Sequence, residues 1–406
     1  MMRGAFREAE IHLSQAIAAL STTPETPERM NREFNLQSAL YQVLAIMGGP
    51  FTGESERASR RMRELGEMTG NPEQLILVLS AAWDSTSGQG EWTAKQQIAE
   101  QMLEIAQRGG SRKGLTLAHF FQGIFFAMRG ELTQAMQHYA AAITSYNEAD
   151  WSGSIQGDPH VVALSQIGMV LWHFGSADQG RAKIRESISL SERLKSPTHM
   201  AISLMLASSF YMDLREPGNV DEVAERLCTL ASEQQLAQFG TIGSVYRGWA
   251  MAEQGRTDEG LALIRAGLVS SVTFFRSLAI PALIEALARA GQLEEALATI
   301  EQDFFAVGEM QIRLPYVLWW RGELHLRRGD ETKAAGDFRE TIAVARRIGS
   351  KAYELRATTS LARLLDRQGK RDDARTMLAE IYNWFTEGFD TADLKDAKAL
   401  LEQLSG

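Results

Sequence analysis

Small, bulky and turn-forming residues recur at fixed offsets along the chain. Around Gly329, a small residue lies seven positions before (Gly322) and five positions after (Ala334), and a bulky apolar residue lies nine positions after (Phe338). Each such unit predicts two antiparallel helices joined at a glycine turn, with small residues where the helices cross. The same spacing recurs around Gly130, Gly175, Gly255, Gly291 and Gly369, except that the position seven before Gly291 holds the bulky Ile284.

Two further units are degenerate, with turns expected at Gly218 and Gly90. A single helix pair cannot bury its own apolar face, so neighbouring pairs must stack. The nine prolines and the scarcity of alternating β-branched runs favour helices throughout. The pattern therefore predicts an all-α fold, a right-handed α-solenoid of stacked helix pairs.

The same spacing divides the chain into three parts. Gly4 is followed by Ala9 and Leu13, which predicts that residues 1–48 begin within a partial N-terminal repeat and continue something upstream; a natural short lead helix is the alternative. Residues 49–387 hold the helical repeats. Residues 388–406 follow a glycine break and read as a C-terminal capping helix, which Asp390 is expected to cap.

Composition narrows the functional classes. The chain has 406 residues, a net charge of −9 and one cysteine, Cys228. The acidic balance argues against a general nucleic-acid binder, and a lone cysteine excludes an intramolecular disulfide. The first residues lack the apolar segment of a signal peptide, and no apolar run is long enough to cross a membrane. We expect a cytoplasmic protein with neither nucleic-acid nor membrane partners.

Motifs for chemistry are missing from the sequence. The stretch GGPFTGES (48–55) has the glycine spacing of a phosphate-binding loop, but Glu54 stands where the lysine is needed. No two histidines lie three or four residues apart, so no metal pair on one helix is expected. We predict a protein that is not an enzyme and that has no cofactor and no metal.

Candidate binding residues occupy the slots that face the concave side of such a stack. Two interpretations stay open: a groove that holds a protein or peptide through aromatic anchors and arginines, or core aromatics with arginines paired to Glu285, Glu323 and Asp366. The candidates are Phe120, Trp172, His173, Trp249, Arg289, Trp319, Glu323, Arg327, Arg363 and Arg367.

The repeat spacing resembles the tetratricopeptide repeat, although its units are longer. Several stretches are similar to the C-terminal repeat region of bacterial class III adenylate/guanylate cyclase or transcriptional-regulator proteins that carry a signal-transduction P-loop ATPase. The residues that carry this resemblance are TPERMNREFNLQSAL (26–40), GDPHVVAL (157–164), RGWAMAEQGRTDEGLALIRAGL (247–268), WRGELHLRRGD (320–330) and residues 349–404, which end in YNWFTEGFDTADLKDAKALLEQL.

The resemblance implies a sensor or partner-binding arm that controls an ATPase, and it carries over no catalytic residue. The leading hypothesis is therefore a non-enzymatic scaffold for a protein or peptide partner, with an upstream ATPase or cyclase domain as one candidate. The alternative is a fragment of a multidomain cyclase or ATPase with that activity. An RNA-reading repeat protein is disfavoured by the irregular repeat length and the acidic balance.

Overall fold

The computed structural model describes residues 5–48, 52–86, 91–151, 158–270, 273–304 and 310–405, and within these ranges the fold is all-α, 85% helical and without strands. Gly4, Gly90 and part of the 48–55 stretch lie outside the described residues. The helices are α1 (Ala5–Ser21), α2 (Pro27–Gly48), α3 (Gly53–Thr69), α4 (Pro72–Asp84), α5 (Glu91–Gly109), α6 (Arg112–Met128), α7 (Leu132–Ser145), α8 (Pro159–His173), α9 (Ala177–Leu194), α10 (Pro197–Asp213), α11 (Pro217–Gln234), α12 (Ala237–Glu253), α13 (Thr257–Ser270), α14 (Thr273–Arg289), α15 (Leu293–Thr299), α16 (Leu314–Arg327), α17 (Glu331–Ile348), α18 (Lys351–Arg367), α19 (Arg371–Tyr382) and α20 (Ala392–Ser405).

The six predicted turn glycines each join one helix pair. All adopt a left-handed backbone, with φ between 72° and 93°. In each turn the amide after the glycine donates a hydrogen bond to the carbonyl oxygen four residues before it, as Asp330 does to His325 over 2.9 Å. This is the hydrogen bond that ends a helix at a left-handed residue. The pairs are α6–α7, α8–α9, α12–α13, α14–α15, α16–α17 and α18–α19.

Glycines seven residues before the turns let the paired helices touch. A Cβ atom at Gly322 would lie 2.7 Å from the ring of Phe338, and one at Gly248 would lie 2.7 Å from the carbonyl oxygen of Gly260. In these two pairs the bulky residue nine positions after the turn, Phe338 or Ile264, lies directly against the glycine seven positions before the turn. The predicted α-solenoid of stacked helix pairs is confirmed.

The expected turn at Gly218 is wrong by three residues. The left-handed residue is Arg215, with φ of 60°, and Glu216 donates the turn hydrogen bond to Tyr211 over 3.0 Å. Pro217 opens α11, and since proline favours the first helical position, the turn must precede it. Counted from Arg215, the slots of this unit hold three fully buried residues: Ser208, Val220 and Ala224.

The C-terminal helix begins later than the sequence suggested. Asp390 does not cap it; α20 starts at Ala392, and the side chain of Asp390 pairs with Arg181 at 2.9 Å. Leu394 and Leu400 are buried on the face of α20 that covers α18 and α19. The division of the chain at residues 48/49 and 387/388 stays a prediction.

The stack curls until its C-terminal helices rest on the turns of earlier pairs. The amide of Ile312 donates to the carbonyl oxygen of Met128 over 3.3 Å. Nδ1 of His173, at the end of α8, lies 2.8 Å from Oγ of Ser350, at the start of α18. Partners about 180 residues apart are thus in direct contact, and the start of α18 covers the end of α8.

Candidate functional site

A C-terminal clasp, residues 385–396, holds the curled stack closed. The carboxylate of Glu387 accepts hydrogen bonds from the backbone amides of Asp178 and Gln179, both over 3.1 Å. These amides open α9, where the helix leaves donors unpaired and favours a negative charge. Arg181, one turn further along α9, pairs with Asp390 of the clasp. The end of the chain therefore caps a helix that begins more than 200 residues earlier.

Closure leaves an arginine-rich cavity of about 160 Å³ on the concave side. The first helices of successive pairs (α12, α14, α16 and α18) form its walls together with α20 and the α10–α11 turn. Its lining consists of Arg215, Glu253, Glu285, Arg289, Trp319, Trp320, Glu323, Arg327, Arg356, Thr359, Ser360, Arg363, Asp393 and Asp396.

Arg356 forms the floor of the cavity. Its guanidinium is buried and donates to both carboxylate oxygens of Asp393, at 2.7 to 3.1 Å, and to the carbonyl oxygen of Asp213 at 2.5 Å. The rings of Trp172 and Trp319 flank it, with centroids 5.7 and 5.3 Å away. A planar guanidinium suits both the two-pronged pairing and the aromatic contacts, so Arg356 ties α10, α18 and α20 together.

Arg215 reaches the same site from the turn before α11. Its Nη1 lies 3.1 Å from Asp393 and 2.8 Å from Asp396. The left-handed backbone costs an L-residue with a side chain about 1 kcal/mol, which glycine would avoid. Strained backbone of this kind concentrates at functional sites. Here it places a second arginine beside the buried Arg356–Asp393 pair.

Glu285 is a buried carboxyl group in the wall formed by α14. It accepts a hydrogen bond from the indole nitrogen of Trp249 at 2.8 Å, and its Oε1 lies 2.7 Å from the hydroxyl of Tyr316. That hydroxyl also lies 3.1 Å from the carbonyl oxygen of Pro281. One hydroxyl hydrogen cannot serve both acceptors, whereas a protonated Glu285 can donate to Tyr316 and leave its hydrogen for Pro281.

The surroundings of Glu285 agree with that arrangement. Burial, and to a lesser extent the neighbouring Glu253 carboxylate, raise its pKa to about 7, although the hydrogen bonds with Tyr316 and Trp249 act in the opposite direction. Below about pH 7 Glu285 is therefore mainly neutral, which reduces the negative charge of the cavity. The remaining four carboxylates then face five arginines.

The arginines of α14 and α16 differ in how they are engaged. Arg289 makes a two-pronged ion pair with Glu253, in which two nitrogens of the guanidinium donate to the two carboxylate oxygens. Arg327 donates to the carbonyl oxygen of Ala288 at 2.8 Å and lies over the ring of Trp320, 5.6 Å from its centroid. Among the described residues, no carboxylate oxygen lies within 4.0 Å of Arg327. Most of its donors therefore remain available.

Arg363 is the second loosely held arginine of the cavity. Its contact with Asp396 is long, at 3.9 Å, and its side chain is 47% exposed. On the same helix, Ser360 donates to Glu323 of α16 at 2.6 Å and accepts from the indole nitrogen of Trp319 at 3.0 Å. The structure thus offers Arg327 and Arg363, on adjacent walls, as the guanidinium groups least committed to the protein.

Five of the ten predicted binding residues line the cavity. They come from three different helices and were placed by the repeat register alone. These are Arg289, Trp319, Glu323, Arg327 and Arg363. Arg289 and Arg363 pair with Glu253 and Asp396, not with Glu285 and Asp366 as the core interpretation expected.

The other five predicted residues lie away from this opening. Trp172, His173 and Trp249 are 4%, 3% and 0% exposed. Tyr353 and Ser350, at the start of α18, contact the first two, whereas Trp249 packs against the neighbouring helix α14 and donates to Glu285. Burial lowers the pKa of His173 to about 3, with help from Arg313 and Arg356, so it packs as a neutral ring. We do not retain these three as partner contacts.

Phe120 and Arg367 also lie outside the cavity lining. Phe120 is half-buried on α6 and packs edge-on against Phe121 with ring centroids 5.5 Å apart. Arg367 is exposed at the end of α18. Neither residue contacts the cavity, and Arg367, on the same helix as Arg363, is a matched control for substitutions of that arginine.

The cavity residues that the repeat spacing did not predict are brought together when the stack curls and closes. Arg215, Arg356, Asp393 and Asp396 converge from a turn, a helix and the capping helix. Nothing in the local sequence signals that the chain curls back on itself. The positive φ at Arg215 carries no sequence signal either, since the neighbouring Gly218 is the more obvious turn residue.

Two histidines meet across a helix pair. Nδ1 of His119 on α6 lies 3.0 Å from Nδ1 of His138 on α7, and the ring of Phe126 stacks on His138. Burial lowers the pKa of both histidines. In the part of the chain that the structure describes, no three histidine, cysteine or carboxylate side chains gather in an arrangement suited to a metal ion.

Comparisons with known proteins identify the repeat type. The family model described as "Tetratricopeptide repeat" matches residues 244–266, 282–302 and 355–380. The chain is a tetratricopeptide-like helical repeat protein. The first two matched stretches cover α12–α13 and α14–α15, and the third covers α18–α19, which carry the turn glycines Gly255, Gly291 and Gly369. No curated protein sequence matches the chain.

Solved structures share this tetratricopeptide-like fold at low identity. A Rap protein complexed with competence and sporulation factor is 12% identical, with a TM-score of 0.53, over 94% of this chain and 98% of that protein. The human IFIT1 dimer with m7Gppp-AAAA is also 12% identical, with a TM-score of 0.51, over 99% and 87%. At such identity the likeness establishes the fold alone. None of the helices described here has the length and apolarity to cross a membrane.

Proposed function

We propose that this protein is a non-enzymatic scaffold that binds a protein or peptide partner through the rim of the arginine-rich cavity. The observation that carries the proposal is that Arg327 and Arg363, on adjacent walls of the cavity, are loosely held, whereas Arg289 and Arg356 are engaged in two-pronged ion pairs. Arginine and tryptophan side chains are the usual anchors of such interfaces.

The chemistry of the rim favours an acidic partner segment. Arg327 and Arg363 offer charge-assisted hydrogen bonds to a carboxylate, and Trp319 offers an aromatic surface beside them. Because an extended peptide does not fit inside a cavity of about 160 Å³, the partner contributes a side chain or a chain end. The Rap protein and its bound factor give a precedent for this fold, not for these residues.

The partner is best sought as a signalling ATPase in the cytoplasm. This part of the proposal rests on the sequence resemblance to the repeat regions of cyclases and transcriptional regulators that carry a P-loop ATPase. The ATPase can belong to the same polypeptide or to a separate protein. Reading the genomic sequence directly upstream distinguishes the two arrangements, because a P-loop reading frame joined to this one supports a single polypeptide.

A pull-down with charge-reversed variants tests the binding site. Purified tagged protein is compared with Arg327→Glu, Arg363→Glu and the control Arg367→Glu, each first checked for an unchanged melting temperature. We expect one protein partner to be retained by the wild type and by the control and lost by the other two. Equal recovery by all four, or recovery of single-stranded RNA in place of a protein, contradicts the proposal.

A further inference from the structure

The cavity has the size of a small-molecule site. Its volume of about 160 Å³ is close to that of an engineered protein cavity that holds benzene, about 150 Å³. The lining combines an indole surface at Trp319 with the guanidinium groups of Arg327 and Arg363 on adjacent helices. Such a pairing of one apolar wall with a few convergent charges is typical of sites for small organic ligands.

The polar groups of the cavity are unequally satisfied. Arg356 and Arg289 are held by two-pronged ion pairs. Arg327 has a single hydrogen bond, to a backbone carbonyl, and the contact of Arg363 is 3.9 Å long. In addition, the buried indole nitrogen of Trp320 has no hydrogen-bond acceptor among the described residues. All three groups are hydrogen-bond donors, so a ligand that completes the site must supply hydrogen-bond acceptors.

The remaining charge points the same way. With Glu285 protonated, as the sharing of the Tyr316 hydroxyl with the carbonyl oxygen of Pro281 favours, five arginines of the lining face four carboxylates. The hydrogen-bond partners of Glu285 are Trp249 and Tyr316. Those two groups reach Glu285 from α12 and α16, while Glu253 also faces it from α12 and Arg356 from α18. An added anion therefore compensates an excess positive charge of the cavity and pairs with its two least engaged arginines.

We propose that the cavity is a binding site for a small organic anion, whose carboxylate or phosphate group pairs with Arg327 and Arg363 and whose apolar part lies against Trp319. The site overlaps the rim of the proposed partner interface, so the inference deepens that function, but it requires no partner to be present. The anion can be a free small molecule or an acidic group presented by a partner. The probes below separate these two sources.

The test is calorimetric titration of the purified full chain with benzoate, succinate, inorganic phosphate and an N-acetyl-aspartyl amide, at constant ionic strength. We expect at least one probe to bind the wild type. Its affinity should fall about tenfold or more in Arg327→Gln and Arg363→Gln, as for loss of one charge-assisted pair. Arg367→Gln, an exposed arginine on the same helix as Arg363, should bind as the wild type does.

Each result decides the proposal. A free-anion site binds benzoate, succinate or phosphate, whereas a site for a presented acidic group binds only the aspartyl amide. Absence of binding by all four probes, or equal weakening in the Arg367→Gln control, overturns the inference. If no probe binds but the charge-reversed variants still lose the pull-down partner, the proposed function stands without the anion site. If a probe binds but no partner is recovered, the anion site stands and the proposed partner-binding function is wrong.

Discussion

Gly322 shows how one side chain sets the distance between two helices. It lies in α16 against the ring of Phe338 in α17, and a Cβ atom there would come within 2.7 Å of that ring. Real Cβ atoms do not approach so closely, so the ring or the helices must move. The crossing of each pair thus depends on a few small residues, while many other glycines of the chain have room around them.

The first prediction compares two glycines of one repeat. Gly322→Ala should lower the free energy of unfolding by about 1–3 kcal/mol, because it overpacks a buried crossing. Gly336→Ala, in α17 with no atom within 4 Å of its added Cβ, should raise stability by about 0.5–1 kcal/mol through helix propensity. Chemical denaturation measures both. Equal effects of the two substitutions on stability contradict the claim that Gly322 allows the close crossing of α16 and α17.

Glu285 makes stability depend on pH in a defined direction. Its pKa is raised from 4.5 to about 7 in the folded protein, so folding retains a proton that the unfolded chain loses first. Its contribution is fully present below about pH 4.5 and is lost as the pH rises through 7, by up to about 3 kcal/mol. Glu285→Gln keeps both hydrogen bonds and should remove this loss.

The measurement is the free energy of unfolding at pH 5 and pH 8. We expect Glu285→Gln to lose less stability between these values than the wild type, and the exposed Glu380→Gln on α19 to behave as the wild type does. A wild-type slope retained in Glu285→Gln shows instead that the carboxyl group is already ionised in the folded state.

At the scale of elements, α9 depends on a residue far along the chain. Glu387 accepts hydrogen bonds from the first amides of that helix. The side chain of Ser176, the N-cap residue of α9, makes no such hydrogen bond. A helix start normally relies on a neighbouring side chain for this purpose. The clasp therefore couples the formation of α9 to the docking of the C-terminal segment.

Glu387→Ala should cost about 1 kcal/mol of stability, as loss of a helix cap does. Hydrogen exchange should also accelerate at the amides of Asp178 and Gln179, while the amides at the start of α17, capped by Asp330 in its own loop, should remain protected. The exposed Glu380→Ala is the control for loss of a negative charge. Unchanged exchange at the two α9 amides contradicts the clasp.

The buried pair Arg356–Asp393 joins α18 to α20. Arg356→Met leaves Asp393 buried with only Arg215 as a partner, and should cost about 3 kcal/mol, as breaking a buried ion pair does. The double variant with Asp393→Leu should recover part of that loss, since no charge is then left unpaired. A cost of the single variant below about 1 kcal/mol, typical of exposed pairs, places the pair at the surface instead.

On the scale of the whole molecule, local spacing predicted the elements and closure determined the site. The offsets around Gly329 and its five equivalents depend on contacts between helices that follow each other in sequence. These contacts could therefore be predicted from the spacing of residues. Trp172 and His173 were placed on the concave face, yet they are buried because the distant helix α18 covers them, whereas Trp249 is buried against the neighbouring helix α14. Such long-range docking leaves no periodic trace, so the roles of Arg215 and Arg356 could not be predicted.

Distance measurement between α9 and α20 tests closure, the claim on which the cavity depends. Nitroxide labels are placed at the exposed positions Ala182→Cys and Lys398→Cys, in a Cys228→Ser background that removes the one native thiol. Pulsed electron spin resonance should give one narrow distance distribution at the separation in the closed structure, which Glu387→Ala broadens. A broad or much longer distribution in the otherwise unaltered protein means that the stack is open and contradicts the account.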